Sequence, residues 1–249
     1  MRGVALTRLG VIAAFIALLE ALCRFGIVKP LTLVAPSRMV GTLIDLIQAG
    51  DVGDDAARTA IEVAGAFVLA ILLGVSIGAV IHAIPRLRRA VAPVLVSWYA
   101  VPSFVFYPLF IALLGLSEAP LIAIGAFSAT PAMVVATISG LDRVPRVLRR
   151  VARVHRMGFW DTLRHITLPS ALPSLFTGVK LAFAYAFIGV IAGEFILSGG
   201  GLGYAIAYAY ESFETAKMYA LMLLVLGVGV AVNAGLHTWE GRLLRRRQR

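Results

Sequence analysis

Charged residues and cysteine are scarce in this sequence of 249 residues. Charged residues make up 14% of the chain and hydrophobic residues 60%, whereas about 25% of the residues in a typical soluble domain are charged. The mean hydropathy is +0.90, and a soluble fold of this length cannot bury so much apolar surface. The one cysteine, Cys23, lies inside a hydrophobic run, which excludes an internal disulfide and predicts a buried, unreactive thiol.

Signatures of catalysis and of nucleotide binding are also missing. The sequence contains neither a G-x-S-x-G elbow nor a G-x-x-x-x-G-K-[ST] phosphate loop. The glycines from Gly199 to Gly203 are not followed by a lysine and predict a sharp bend instead. The histidines do not lie at the spacing of metal ligands; they are His82, His155, His165 and His237. The chain is therefore predicted not to be an enzyme and to bind no metal or cofactor itself.

Long apolar blocks are the dominant feature of the sequence. A membrane-spanning helix needs about 20 mostly apolar residues, and six blocks of the sequence reach this length. The predicted spans are Leu9–Val28, Ala60–Ile84, Val91–Leu116, Ala119–Leu141, Leu172–Leu197 and Tyr219–Trp239. The sequence therefore predicts an all-α polytopic membrane protein with six transmembrane helices, formed as a single transmembrane domain over residues 1–249.

The arginines indicate which ends of the spans face the cytoplasm. The net charge of +10 comes mainly from four groups, at Arg2 and Arg8, Arg86 to Arg89, Arg143 to Arg164, and Arg242 to Arg249. Basic residues concentrate in the cytoplasmic loops of membrane proteins, so both termini are predicted to be cytoplasmic. No series of base-stacking aromatic residues accompanies these arginines, so membrane lipid is the expected partner and nucleic acid is not.

Residues 142–174 form the longest and most charged segment between the spans. From Arg146 to Met157 arginines alternate with valines, so a helix there would be amphipathic. Such a helix either lies on the membrane surface as an anchor or docks against another protein. Two prolines, Pro169 and Pro173, predict a break before the fifth span.

Charged side chains inside spans are costly and therefore informative. Glu20 and Arg24 are four residues apart, so they are predicted to pair across one helical turn. Lys180 is predicted to extend its charged end toward the cytoplasmic surface. Glu194 lies near the outer end of the fifth span, where it is predicted either to act in a gate or in helix packing, or to reach water at the interface.

The inner segment ends in a motif that resembles the permeases of binding-protein-dependent importers. Ile166–Pro169 matches the I-x-L-P with which their inner loop ends. In that family the loop begins with EAA, and nine residues separate its glycine from the I-x-L-P. Here Ala152 matches the second alanine, whereas Arg150 stands at the glutamate position and Arg156 at the glycine position. Gly158 is predicted to replace that glycine in the turn.

Further matches extend the resemblance over most of the chain and are typical of the nitrate, sulfonate and taurine type of importer permease. They are TAIEVAGAF at Thr59–Phe67, LRRAVAP at Leu87–Pro93, AVPSFVFYPLFIALLG at Ala100–Gly115, and GVKLAF, IGVIAGEF and GGGLGY, which begin at Gly178, Ile188 and Gly199. Glu194 matches the glutamate of the family's A-E-F stretch.

This resemblance implies a permease of the type I importer fold in the bacterial cytoplasmic (inner) membrane. The chain is expected to pair with a second permease, itself or a homologue, and to form a translocation path that works by alternating access. Two cytoplasmic ATPase subunits, carrying ATP and Mg²⁺, and a periplasmic or lipid-anchored substrate-binding protein are the other expected partners. A small organic anion or a vitamin precursor fits the family as substrate. The alternative is a secondary transporter or channel driven by an ion gradient, for which the spans hold few interior carboxylates.

The resemblance also implies which residues function. Residues 142–174 take the place of the loop that couples such permeases to their ATPases, with contacts expected at Ala152, Arg153, His155, Arg156, Gly158, Phe159, Trp160 and Asp161. The candidates for the pathway or a gate are Tyr99, Pro102, Phe104, Tyr107, Tyr185 and Glu194. Aromatic residues also pack between helices and form belts at membrane surfaces, so both interpretations of the aromatic candidates remain open.

Overall fold

The computed structural model describes residues 2–29, 31–98, 101–197 and 199–246. These residues form α-helices joined by short turns and contain no strand, which confirms the predicted all-α fold. The helices are α1 (Arg2–Arg24), α2 (Pro36–Ala49), α3 (Gly53–Ala83), α4 (Pro85–Trp98), α5 (Tyr107–Leu114), α6 (Ala119–Asp142), α7 (Arg146–Val154), α8 (Phe159–Thr162), α9 (Leu168–Leu197), α10 (Leu202–Glu211) and α11 (Thr215–Arg246). A 3₁₀ turn covers Ser103–Phe106 and a π-helical turn covers Leu163–Thr167.

Several of these helices are long and apolar enough to cross a membrane. Within the described residues they are α3, α6, the joined helix Phe159–Leu197 and the Thr215–Arg242 part of α11. A bent pair, Pro85–Trp98 with Ser103–Leu114, adds a fifth if it forms one span. The predicted count of six spans and the cytoplasmic position of the termini remain predictions.

Reporter fusions test that topology. Reporters fused after Arg89, Arg164 and Arg249 are expected to report the cytoplasm, and those fused after Asp51 and Glu211 the outside, because the arginine-rich segments remain on the inner side. Activity of an alkaline phosphatase reporter, which folds only outside, is the measurement. A reversal at any of the first three positions would contradict the arrangement of six spans.

The predicted third span is not one helix. The sequence predicts a continuous span over Val91–Leu116, but α4 ends at Trp98 and α5 begins at Tyr107. Pro102 precedes the 3₁₀ turn in an extended conformation, with φ −63° and ψ 117°. Proline donates no backbone hydrogen bond and disfavours a helical conformation in the residue before it, so the helix is broken here and not merely kinked.

The predicted break before the fifth span is absent. The helix is continuous over Phe159–Leu197, through both Pro169 and Pro173. In the π-helical turn the backbone N–H of Leu168 donates to the carbonyl of Leu163, a spacing of five residues. Pro169 follows this turn directly, where the widened backbone leaves room for its ring. The prediction was wrong because a wider turn accommodates a proline that a regular α-helix would not.

The chain divides into two compact units. Unit 1 contains Met1–Thr59 and Glu194–Val228, and unit 2 contains Ala60–Gly193 and Gly229–Arg249. In unit 1 the predicted pair is confirmed, since Arg24 Nε lies 2.7 Å from Glu20 Oε1. The same carboxylate accepts bonds from the backbone N–H and the hydroxyl of Ser37 at 3.0 and 2.6 Å, which joins α1 to the start of α2.

In unit 2, small residues allow α3, α6 and α9 to pack closely. Ala66, Ala129 and Ala182 are fully buried where these helices meet. A Cβ atom on Gly74 would overlap Met133, and one on Gly178 would overlap another side chain of α6. Membrane helices use small residues in this way because lipid supplies no hydrophobic force between them, so close backbone contact must hold them together.

Candidate functional site

The surface of α7 is divided between basic and apolar side chains. The basic residues on one face are Arg146, Arg149, Arg150 and Arg153. The exposed apolar residues beside them are Val147, Val151 and Val154. Ala152 is the buried residue of this helix and packs against Val144 and Ile166. The predicted amphipathic helix is therefore confirmed, with a valine stripe that no other described residue covers.

A left-handed residue ends α7. The N–H of Met157 donates to the carbonyl of Ala152 at 2.9 Å, and that of Arg156 to Arg153 at 3.1 Å. These bonds form a Schellman motif, whose left-handed position usually holds glycine. Arg156 occupies it here with φ +49°, whereas Gly158 has φ −64°. The prediction that Gly158 replaces the turn glycine is wrong: Arg156 adopts the strained conformation itself, at a cost of about 1–2 kcal/mol.

Two aromatic side chains project from the turn that follows α7. Phe159 and Trp160 are 73% and 75% exposed, and their rings meet edge to face with centroids 5.3 Å apart. Asp161 lies in the first turn of α8, where the helix dipole favours a negative charge. Arg153 and His155 are also exposed. Apart from buried Ala152, the residues predicted to contact an ATPase therefore lie on one accessible stretch of the loop.

A cavity of about 230 Å³ lies in unit 2 beside the broken third span. Its lining residues are Trp98, Val101, Pro102, Ser103, Phe104, Ser128, Tyr185, Ile188, Gly189 and Ala192; we call it the α4–α9 cavity. It brings together three of the predicted pathway residues, Pro102, Phe104 and Tyr185. Tyr107 is not in its lining, and Tyr99 lies outside the described residues.

Two serines hold the polar edge of the α4–α9 cavity. The hydroxyls of Ser103 and Ser128 lie 2.5 Å apart, and that of Ser128 donates to the carbonyl of Ile124 at 2.8 Å. Because a serine has one hydroxyl proton, Ser103 must then donate to Ser128. A Cβ on Gly189 would lie 2.7 Å from Ser128 Oγ, so this glycine allows α9 to approach the serine pair.

One wall of the cavity is an indole ring in a fixed orientation. Trp98 Nε1 donates to the carbonyl of Phe127 at 3.2 Å, and the two rings lie 4.4 Å apart. Phe106 and Phe110 pack against the other sides of Phe127 at 5.0 and 6.3 Å. The end of α4 and the start of α5 are thus both fixed on α6, although the helix between them is broken.

In unit 1 the Glu194 side chain is fully buried. The hydroxyl of Thr59 donates to one carboxylate oxygen at 2.7 Å, and the backbone N–H of Gly203 donates to the other at 2.8 Å. The N–H of Leu202 donates to Thr59 Oγ1, and that of Gly201 to Asp55 Oδ1, each at 2.8 Å. These residues cap the start of α10, and we call them the Glu194 clamp.

The clamp excludes one of the sequence interpretations of Glu194. The buried carboxylate does not reach water at the interface, and by accepting from the N–H of Gly203 it satisfies one of the groups that a helix leaves unpaired at its start. Gly201 has φ +97°, and a Cβ there would overlap the carboxylate. Only glycine therefore fits at position 201 while the Glu194 side chain occupies its buried position.

Several residues of these sites are not identified by the sequence pattern. Thr59 and Asp55 of the clamp lie on α3, far along the chain from Glu194, and Ser103 and Ser128 are ordinary residues of apolar stretches. The glycine run that ends at Gly203 was the available signal, since a sharp turn before a helix requires a nearby acceptor for the free N–H groups.

Two ion pairs join helices of unit 2. Lys180 Nζ lies 2.6 Å from Glu240 Oε2, so its charged end pairs with α11. The sequence predicts only that this end extends toward the cytoplasmic surface. Arg88 makes two bonds to Asp142, at 2.9 and 2.7 Å, which join α4 to the end of α6. In the part of the chain that the structure describes, no group of acidic, histidine and cysteine side chains could hold a metal ion.

Comparison with known proteins identifies relatives of this chain. Residues 66–248 match the family described as binding-protein-dependent transport system inner membrane component. A protein named as an aliphatic sulfonates transport permease of Bacillus subtilis is 29% identical over 94% of this chain and 84% of its own length. A riboflavin transport system permease of Chloroflexus aurantiacus is 31% identical over 60% of this chain and 57% of its own. A nitrate import permease of Leptolyngbya laminosa is 26% identical over 70% of this chain and 62% of its own.

A solved structure shares the fold. One chain of the methionine ABC transporter MetNI in an inward-facing conformation superposes with a TM-score of 0.64 at 18% identity, covering 77% of this chain and 94% of that one. The two chains thus share a multi-helix fold. This chain belongs to the binding-protein-dependent transport family of inner membrane components, and it is a permease subunit of an ABC importer in the bacterial cytoplasmic membrane. Its relatives are transport subunits and not enzymes.

Proposed function

We propose that this chain pairs with a second permease, itself or a homologue, and with two cytoplasmic ATPase subunits that bind ATP and Mg²⁺. A periplasmic or lipid-anchored binding protein delivers the substrate, which is a small organic anion or a vitamin-precursor-like compound. Relatives named for sulfonates, nitrate and riboflavin support this range. ATP-driven closure of the ATPases switches the path between two accessible ends.

The observation that carries the proposal is the exposed aromatic pair Phe159 and Trp160 beside the valine stripe of α7. Large apolar side chains in water favour burial against a partner, and aromatic anchors commonly supply most of the binding free energy of an interface. The arginines of α7 would meet acidic groups at the rim of the same contact. The inner loop therefore docks an ATPase.

The pathway is proposed to include the α4–α9 cavity, because three predicted pathway residues line it and the broken helix beside it can change its bend. The Glu194 clamp is proposed to act in the outer gate. It ties the start of α10 to Asp55 and Thr59 at the start of α3, so α10 moves with α3.

Gentle solubilisation followed by purification of the tagged chain tests this assembly. An ATPase subunit is expected to co-purify, and reconstituted vesicles are expected to take up substrate with ATP in the absence of any ion gradient. Uptake that requires a proton or sodium gradient, with no ATPase in the complex, would establish the gradient-driven alternative instead.

Replacing Glu194 with glutamine is expected to change uptake and ATPase stimulation without preventing assembly. Thr59 accepts from Leu202, so its own proton goes to Glu194, and Gly203 donates to the second oxygen. Glutamine has only one acceptor oxygen, so either the Thr59 hydroxyl or the Gly203 N–H is left without an acceptor. The expected loss is about 1–3 kcal/mol of local stability.

The matched control is Thr59→Ser, which keeps the hydroxyl and is expected to behave as the wild type. Transport kinetics of reconstituted vesicles are the measurement, with the yield of assembled complex as the check on folding. Wild-type kinetics in Glu194→Gln would show that the clamp has no part in gating.

A further inference from the structure

We propose that the α4–α9 cavity receives a substrate with a planar conjugated ring, and that it discriminates against small hydrated anions. This inference rests on the proposed function, because it assigns a substrate class to the proposed pathway. The side chains that line the cavity narrow the proposed substrates, small organic anions and vitamin-precursor-like compounds, to those with a flat ring.

The cavity has no charged side chain with which to recognise an anion. None of its ten lining residues is charged, whereas proteins bind carboxylate, sulfonate-like and phosphate oxygens through arginine, lysine or arrays of backbone N–H groups. One neutral donor in the lining, Trp98 Nε1, already donates to Phe127. The proton of Ser128 goes to Ile124, and that of Ser103 to Ser128. A small anion entering here would lose its water without gaining an opposite charge.

Aromatic faces are what the cavity offers instead. Trp98, Phe104 and Tyr185 contribute rings from three different segments of the chain. Offset stacking on such rings stabilises a flat conjugated ligand and tolerates different ring substituents. Ser103 Oγ keeps a lone pair and can accept from an amino or hydroxyl substituent at the ring edge. The arrangement therefore fits a ring with a polar rim.

The size of the cavity limits the ligand further. Its volume of about 230 Å³ lies below the roughly 300–1,000 Å³ of sites for drug-sized ligands. It has room for one or two fused rings. Gly189 and Ala192 keep this space open on the α9 side, because both positions line the cavity with minimal side chains.

Fluorescence of Trp98 provides a direct test in the full-length purified chain. The protein has three tryptophans, so Trp160→Phe with Trp239→Phe leaves Trp98 as the single reporter. We expect 4-aminopyrimidine to change its emission saturably, with an apparent affinity at least tenfold higher than those of sodium nitrate and sodium methanesulfonate at equal ionic strength. Ala192→Leu in this background should weaken the pyrimidine response at least tenfold by filling the cavity.

Ala64→Leu is the matched control, since it adds the same atoms on an exposed part of α3 outside the lining. If Ala192→Leu does not fold, Phe104→Leu replaces it and should weaken the response by removing one aromatic face. An equal or stronger response to nitrate or methanesulfonate, a pyrimidine response insensitive to both cavity variants, or no response to any probe would overturn the inference. Co-purification of an ATPase is scored separately, so the inference can fail while the importer assembly stands.

Discussion

Replacing Phe159 and Trp160 together with alanine is expected to abolish coupled uptake while leaving the permease folded and inserted in the membrane. Both side chains are exposed and contact mainly each other, so their removal exposes no core. If they fill a pocket on the ATPase, each truncation costs about 2 kcal/mol or more of binding free energy. Co-purification of the ATPase and ATP-dependent uptake in reconstituted vesicles are the measurements.

Arg153→Ala serves as the control for this double substitution. Arg153 is an exposed basic residue of the same loop, and exposed ion pairs contribute about 0–1 kcal/mol and are screened by salt. We expect a mild loss of ATPase binding at low ionic strength, and we expect the difference from the wild type to become smaller at high ionic strength. If the double variant keeps both the complex and transport, the inner loop is a membrane-lying anchor and the docking proposal is wrong.

Gly201→Ala is expected to disable transport and to lower thermal stability strongly. The new Cβ would overlap the Glu194 carboxylate, and the backbone at φ +97° is a conformation that other residues rarely adopt. Backbone strain of about 1–3 kcal/mol adds to the loss of a hydrogen bond between Glu194 and the N–H of Gly203, about 1.5–3 kcal/mol for a bond to a charged group. Thermal unfolding of the purified chain and uptake by vesicles measure the two effects.

The neighbouring Gly199 provides a control within the same loop. It is exposed, a Cβ there meets no atom within 4 Å, and its φ is outside the left-handed region. Gly199→Ala is therefore expected to retain the unfolding temperature and uptake of the wild type. Equal behaviour of the two variants would mean that the clamp tolerates displacement of the carboxylate, and a rigid link between Glu194 and α10 would be excluded.

Helix boundaries are predicted best from the sequence where the composition of the chain changes abruptly. α6 covers Ala119–Asp142, against a prediction of Ala119–Leu141, because apolar residues give way to Asp142 and Arg143 within two positions. The amphipathic helix α7 is predicted for the same reason, since alternation of charge and valine is a local property. Local periodicity is sufficient when the surroundings of a helix, lipid or water, are uniform along it.

Pairings between distant residues could not be predicted. Thr59 and Glu194 are 135 residues apart, and Lys180 and Glu240 are 60 apart. Hydropathy indicates that a buried charge is costly, but only the packing of helices determines which partner reduces that cost. Glu194 was therefore identified as important while its role as a helix cap was not, and the partner of Lys180 was missed.

Local conformational alternatives explain the other errors. Pro102 breaks a helix whereas Pro169 and Pro173 do not, although all three lie in apolar stretches. A wider turn precedes Pro169, but helices also continue through Pro93 and Pro131 without one. Similarly, Arg156 adopts the left-handed conformation that glycine at position 158 was expected to supply. Propensity ranks the residues for such positions, but the hydrogen bonds of the Schellman motif determine which one occupies it.

The π-helical turn Leu163–Thr167 has a consequence for how this segment tolerates changes in length. A π turn holds one residue more in its hydrogen-bonded ring than an α turn, so the loss of a single residue there would convert it into an ordinary α turn. The ring of Pro169 would then meet the carbonyl four residues before it, and the helix would kink at this point. Phe159 and Trp160 would be displaced relative to α9 by that kink. The length of this segment is therefore fixed by the proline that follows it, and a deletion here is expected to be tolerated only together with replacement of Pro169.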